Sequence, residues 1–419
     1  MKIYKPRTAE KLQTVTVLSI DGSGSRGIIP AVALHDLEKF LQDYDGDDNL
    51  RISDYFDVIS GSGMGSIIAG MLTVPDDHQQ KRPRYTMRQI LDSLINEIFY
   101  TFRSTRYSWF CKIFGGRGHQ ETFKQIIRDK LKGAQLDQTL LSNVVIPVFN
   151  DKKKRPVILS SSQPKDHIQL SDAVLGSSAM PAFLDPLEIK CRGEDCIFID
   201  GGLVSTNPTL FALQEADKLV SKTEPDYKNY LVLSLGTADR RGLPEVVLHI
   251  PSWLLGTFTN RIWRDWGPRI LQYAYDTFSD ITKTYMTLLL KCDGRGSENY
   301  LRIQGYREDF VTSITDETHR TFEALMKYAQ VFLINPFVHS HPVPAITDGS
   351  SRSLGRLKSI GEPLMNNAFT YINPYTGKLH QQRYDQPNKI ALQEFGKKLS
   401  EERKRRLLDL HKKNKVSIP

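Results

Sequence analysis

Short runs of β-branched and apolar residues alternate along this chain with segments in which apolar residues recur every three or four positions. Val15-Thr16-Val17-Leu18-Ser19-Ile20 is such a run and predicts a strand buried on both faces of a parallel sheet. Residues 141–150, 156–162 and 230–237 predict further strands, and residues 28–41, 85–101, 119–132 and 316–333 predict helices. Residues 246–291, with Trp253, Phe258, Trp263, Trp266 and Tyr273, read as helices capping the sheet. The alternation predicts an α/β fold with a mostly parallel central sheet flanked by helices, plus helical additions. One domain is expected over 13–335, an irregular connector rich in Ser, Pro, Asn and Gly over 336–388, and a basic amphipathic helix over 389–413. No internal repeat interrupts this plan.

The pattern changes most abruptly at Tyr55-Phe56-Asp57-Val58-Ile59-Ser60-Gly61-Ser62-Gly63-Met64-Gly65-Ser66-Ile67-Ile68. A strand-like run ends in a glycine-dense turn and a helical run starts at once, as in a nucleophile elbow, where a sharp strand-to-helix turn lifts one side chain toward a helix N-terminus. In the pattern G-x-S-x-G, Gly61 and Gly65 hold the outer positions, and Gly63 stands where a serine would attack. Moving the frame onto Ser62 requires glycines at positions occupied by Ser60 and Met64, so neither Ser62 nor Ser66 replaces it. A glycine-rich turn without catalysis is the competing reading of the turn alone.

Upstream, Asp21-Gly22-Ser23-Gly24-Ser25-Arg26-Gly27 joins the first strand to the first helix and contains G-x-G-x-x-G. Backbone N–H groups exposed at a helix N-terminus receive negative charge, either a dinucleotide pyrophosphate or the oxyanion of a tetrahedral intermediate. The elbow ~35 residues later favours the oxyanion. Downstream, Ile197-Phe198-Ile199-Asp200-Gly201-Gly202 ends an apolar strand on an acidic turn, and Asp200 there is either a turn aspartate bonding its own backbone or a functional carboxylate.

These three motifs, in this order, resemble the patatin-like lipid acyl hydrolases. That family reads D-G-G-G-x-R-G at the first loop; the chain matches it at Asp21, Gly22, Gly24, Arg26 and Gly27 and departs at Ser23. The resemblance implies an oxyanion hole at Gly22, Ser23, Gly24, Arg26 and Gly27. A Cβ at Ser23 would misaim one amide if the backbone there needs positive φ. It also implies that Asp200, with Gly201 and Gly202 in the D-G-G motif, acts as the base that pairs directly with the nucleophile. Residues 170–183 and 230–237 match the family too, and the C-terminal helix resembles that of plant cytosolic patatin-related proteins.

Composition narrows the setting. Hydrophobic residues make up 40% of 419 residues and charged ones 25%, as in an ordinary globular protein. A net charge of +8 and a pI near 9.1 suit an anionic contact. Four cysteines form no disulfide framework, although Cys191 and Cys196 flank a hairpin tip where oxidation would let them pair. No spacing suggests a metal site, and no cofactor is expected. The N-terminus lacks the apolar stretch of a signal peptide, so the expected location is cytoplasmic, with peripheral membrane contact open. Residues 102–114 interleave aromatic and basic side chains, suited to a headgroup region or to a packed helix. In the last helix Ile390, Leu392, Phe395, Leu399, Leu407, Leu408 and Leu410 accompany Lys397, Lys398 and Arg403 to Arg406, suited to an anionic membrane or to a solvated helix resting on the domain.

The expected partners are a phospholipid or galactolipid and an anionic membrane surface, with no nucleic acid. The function implied by the resemblance is that of a lipid acyl hydrolase homologue, of phospholipase A or galactolipase type, whose activity is impaired or lost through Gly63. The alternative is an inactive pseudoenzyme that binds lipid or a protein partner. A hydrolase in which Asp200 activates water directly is the form that activity would take if retained. A nucleotide-binding glycine loop is the weaker third reading, opposed by the elbow and the D-G-G motif.

Overall fold

In the computed structural model, residues 12–22, 24, 26–77, 82–99, 101, 118–137, 140–163, 168–180, 184–191, 193–220, 229–237, 277–286, 288–289, 299–304, 358, 364–366, 370–372, 379–381 and 387–416 are described. Ser23, the aromatic and basic stretch 102–114, the tryptophans at 253, 263 and 266, and the helix expected over 316–333 lie outside them.

The elements run in the anticipated alternation. Strand β1 (Val15–Ile20) leads to helix α1 (Ile28–Asp45), β2 (Val58–Gly61) to α2 (Met64–Thr73), and α3 (Met87–Ser93) continues as a π-helical turn over Leu94–Ile98. Helix α4 (Gly118–Lys130), the hairpin β3 (Asn143–Asn150) and β4 (Arg155–Ser160), and α5 (Leu170–Ser178) follow. A second hairpin, β5 (Leu187–Cys191) and β6 (Glu194–Ile199), precedes α6 (Thr209–Asp217), β7 (Tyr230–Leu235) and β8 (Tyr300–Ile303).

Eight strands form one sheet in the order β5-β6-β3-β2-β1-β7-β8, with β4 paired to β3. The run β3-β2-β1-β7-β8 is parallel. Side chains alternate across it as the two-residue period requires. Leu18, Ile20, Ile59, Val144, Ile146, Leu231 and Leu233 join one core with residues of α1, α2 and α5, while Val15, Val17, Val58, Val145 and Val232 join a second core with Ala212, Leu213 and Ala216 of α6. Burial on both faces explains the predominantly apolar runs of β1 and β7. Every residue of α2 is buried, so this helix is apolar all round.

Two features go beyond the sequence expectation. The strand that carries Asp200 runs antiparallel to β3, so Asp200 reaches the site from outside the parallel run rather than from the C-terminal end of one of its strands. The stretch expected to be an irregular connector contains a two-stranded antiparallel pair, β9 (Thr370–Ile372) and β10 (Leu379–Gln381), and buries Leu364 and Met365 in the main core.

The last helix, α7 (Asn388–Val416), lies on the domain. Leu392, Phe395 and Leu399 are buried, and a Cβ at Gly396 would come within 2.9 Å of the Phe40 ring, so the glycine lets α7 approach α1 closely. Ile390 and Leu408 stay exposed. The basic run is engaged within the chain: Arg403 stands over the Tyr55 ring, Lys404 pairs with Asp45, Arg405 with Glu402 and Asp409, and Arg406 with Asp57 and Glu402. Arg403, Lys404 and Arg406 thus fasten the helix to the domain, while the Arg405 pairs lie within α7.

Candidate active site

The register of the sheet brings the two glycine loops together. Ile20 pairs with Gly61 across adjacent parallel strands, so β1 and β2 end at one level and their loops leave side by side. The contact between them is backbone on backbone: a Cβ at Gly22 would lie 1.9 Å from the Ser62 carbonyl oxygen and one at Gly65 2.4 Å from that of Ile20, and within the elbow one at Gly61 would lie 2.3 Å from that of Gly65. No residue but glycine fits those three positions without moving the backbone. Gly24 takes φ +56° and its carbonyl accepts from Gly27 N–H at 3.0 Å, which turns the chain into α1. Arg26 beside it is buried.

Gly63 differs from its neighbours. Its backbone has φ +50° and ψ −125°, a left-handed geometry that lifts the residue out of the strand and starts α2 immediately. A Cβ there would meet nothing closer than Gly22 Cα at 3.7 Å and Asp200 Oδ1 at 3.8 Å, which is ordinary van der Waals distance. The turn therefore has room for a side chain, and a hydroxyl one bond further on would be within reach of the Asp200 carboxylate.

Serines fix that turn. Gly63 N–H donates to Ser177 Oγ at 3.0 Å, and Ser177 in turn donates to the Pro147 carbonyl at 2.8 Å. The Gly63 carbonyl accepts from Ser66 Oγ at 2.6 Å and Ser178 Oγ at 3.1 Å. Both peptide groups of the elbow glycine are thus tied to α2 and to the end of α5. Asp200 is buried, its N–H donates to the Ala179 carbonyl at 3.1 Å, and its Oδ1 accepts from Gly202 N–H at 2.9 Å. Gly201 is held against the same group of atoms: a Cβ there would lie 2.2 Å from Ser177 Oγ and 2.3 Å from the Pro147 carbonyl oxygen.

Among the residues singled out from sequence, Gly22, Gly61, Gly63, Gly65, Asp200, Gly201 and Gly202 converge, with Gly24, Arg26 and Gly27 along the adjoining loop. Sequence reasoning missed the roles of Ser66, Ser177 and Ser178 as clamps of the elbow, and of Arg302. Arg302 had a visible signal, a charge inside the apolar run Tyr300–Ile303, since a buried guanidinium demands a partner. Its neighbour Tyr300 is a neutral phenol, its pKa pushed above the ordinary 10.0 chiefly by burial. Among the described residues no group of His, Cys, Asp or Glu is arranged to hold a metal ion, and no helix is long and apolar enough to cross a membrane.

A family model for patatin-like phospholipases matches residues 18–213, which run from β1 to α6. Patatin-like protein 4 of Arabidopsis thaliana is 30% identical over 410 residues, covering 94% of this chain and 93% of that protein. Patatin-15 of Solanum tuberosum is 28% identical over 390 residues, covering 87% and 95%. Among solved structures, VipD from Legionella pneumophila aligns over 86% of this chain and 70% of its own with 11% identity and a TM-score of 0.29, too distant to bear on the fold. By the family match and the likeness to relatives over nearly their whole length, the chain belongs to the patatin-like phospholipase family.

Proposed function

We propose that this chain binds the acyl ester region of a phospholipid or galactolipid in a patatin-type site and does not cleave it through an acyl-enzyme. The observation that carries the reading is Gly63: the turn keeps the left-handed conformation of a nucleophile position, faces Asp200, and lacks the hydroxyl. In a serine hydrolase, removing the serine alone lowers kcat by about 10⁶, because nucleophile and base act as one unit. Acyl binding and oxyanion stabilisation depend on other groups and survive that loss. Asp200 is the base that a restored serine would use, and within the first loop Gly24 is the amide assigned to the acyl oxygen, since the Gly22 and Gly27 N–H groups already donate to the Thr206 and Gly24 carbonyls.

The test compares the native chain, Gly63→Ser and Gly63→Ser with Asp200→Asn on mixed phospholipid and galactolipid vesicles, reading free fatty acid, with vesicle flotation as the binding assay. The expected result is flotation by all three, fatty acid release by Gly63→Ser alone, and labelling of that variant alone by a fluorophosphonate. Turnover by the native chain that disappears with Asp200→Asn would instead establish direct attack by water, and failure of every form to float with lipid would overturn the binding role.

A further inference from the structure

Arg302 connects the two loops on either side of Gly63. It lies on β8, opposite Ser234 of β7, and reaches past that strand to the first residue after β1. Its Nη1 donates to Asp21 Oδ1 at 2.8 Å and to Ser234 Oγ at 2.6 Å, while its Nη2 donates to Asp21 Oδ2 and, at 2.6 Å, to Gln304 Oε1. Arg302, Asp21, Ser234 and Gln304 are all buried. A planar guanidinium serves a carboxylate and two flanking acceptors together, which an ammonium does not.

Each end of this network leads into the site. Asp21 precedes Gly22, which rests on the Ser62–Gly63 backbone and donates its N–H to the Thr206 carbonyl at 3.3 Å. Ser234 Oγ lies 2.9 Å from Thr209 Oγ1, and Thr209 donates to Asn207 Oδ1 at 2.5 Å. Asn207 closes the loop that begins at Asp200, and its carbonyl accepts from Ser205 Oγ at 2.6 Å. The first loop and the Asp200 loop thus share one buried cation, contributed from a strand at the far end of the sheet.

We propose that Arg302 is the positioning residue of this site: through Asp21 and the Ser234–Thr209–Asn207 chain it sets Gly22 and the Asp200 loop relative to each other. The assignment of the first loop to an acyl oxygen rests on the function proposed above; the placement of the two loops does not.

The experiment therefore has two arms. In the first, hydrogen exchange is followed in the native Gly63 chain and in Arg302→Lys, with Asp21→Asn, which keeps the side-chain shape, as a second variant should Arg302→Lys not fold. Exchange at peptides spanning 20–27 and 200–209 is expected to rise by about tenfold or more while peptides of β3 and α7 keep their native rates, as local opening requires. A uniform rise across the chain, or unchanged loops, would overturn the proposal. In the second arm Arg302→Lys is placed in Gly63→Ser, where kcat for a short-chain ester is expected to fall about 100-fold with KM held within about threefold, the pattern of lost transition-state stabilisation. Equal changes in KM and kcat would overturn the positioning role. Silence of Gly63→Ser itself would overturn the functional reading and leave the first arm to decide the placement.

Discussion

Arg406 and Asp57, 349 residues apart, face each other as a buried two-pronged ion pair, Nη1 to Oδ1 at 2.7 Å and Nη2 to Oδ2 at 2.8 Å. The Asp57 carboxylate also accepts from Thr16 N–H and Oγ1, and Arg406 also donates to the Thr14 carbonyl and to Glu402. Burial alone would lower the Arg406 pKa, but Asp57 and Glu402 hold it above its ordinary value. The pair joins the last helix to the starts of β1 and β2, the strands that end in the two glycine loops. Arg406→Met leaves the carboxylate buried without its cation, and unfolding by urea should show a loss of about 3–5 kcal/mol. Adding Asp57→Asn should recover part of that loss. An additive double variant would show that the two residues are not coupled.

The glycines of the site divide into two classes by what a methyl group would meet. At Gly63 the added Cβ has ordinary contacts, so Gly63→Ala should cost only the strain of a backbone at φ +50° and ψ −125°, about 1–3 kcal/mol. At Gly22, Gly61 and Gly65 it would lie 1.9, 2.3 and 2.4 Å from carbonyl oxygens of the facing backbone. Alanine at any of the three should cost ~3 kcal/mol or more, the upper end of overpacking penalties. Thermal melts of the four variants check the ranking. Equal losses at all four would mean that the close approach of the loops is not what these glycines provide.

Ser177 should matter out of proportion to its size. Its hydroxyl accepts from Gly63 N–H and donates to the Pro147 carbonyl, both in the interior. Ser177→Ala leaves a buried donor and a buried acceptor without each other's bridge, at about 1–3 kcal/mol for an unsatisfied group. The Gly63 amide itself should lose its protection from exchange, which amide-resolved NMR would record. Unaltered protection of Gly63 in Ser177→Ala would assign the holding of the elbow to Ser66 and Ser178 alone.

The sheet strands and the elbow were legible in the sequence because their causes are local. A strand buried on both faces is mostly apolar and β-branched, as at Val15–Ile20, and a turn pressed on its neighbour must be glycine, as at Gly61 and Gly65. What was not legible depends on partners far away. Asp21 and Arg302 are 281 residues apart, and neither residue's surroundings name the other. The direction of the strand bearing Asp200 is not written in its residues either, because an apolar run looks the same in a parallel or an antiparallel place. The cluster Arg403 to Arg406 suits either an anionic membrane or a helix resting on the domain, and Asp45 and Asp57, supplied from α1 and from the foot of β2, draw Lys404 and Arg406 onto the domain. Charge composition gives the sign of a helix, while the direction each charge faces is set by the surface beneath it.

Asp45 makes that attachment sensitive to acid. Its carboxylate accepts from Ser400 Oγ at 2.5 Å and Tyr55 Oη at 2.7 Å and pairs with Lys404 Nζ at 2.8 Å. Burial acts to raise its pKa, but Lys404, Ser400 and Tyr55 together outweigh burial and bring it below the ordinary 3.8. A folded-state pKa below the unfolded one means that the unfolded chain takes up more protons in acid. The stabilisation is therefore present above 3.8 and lost as pH falls through the lowered folded value. Asp45→Asn should be less stable than the native chain at neutral pH and should lose less on acidification. Urea midpoints at about pH 7, 4 and 2.5 give both slopes. Lys404→Met removes the paired cation, moves Asp45 back toward its ordinary value and should flatten the acid limb in part. Parallel acid limbs in the native chain and Asp45→Asn would place the acid-sensitive contact elsewhere in the molecule.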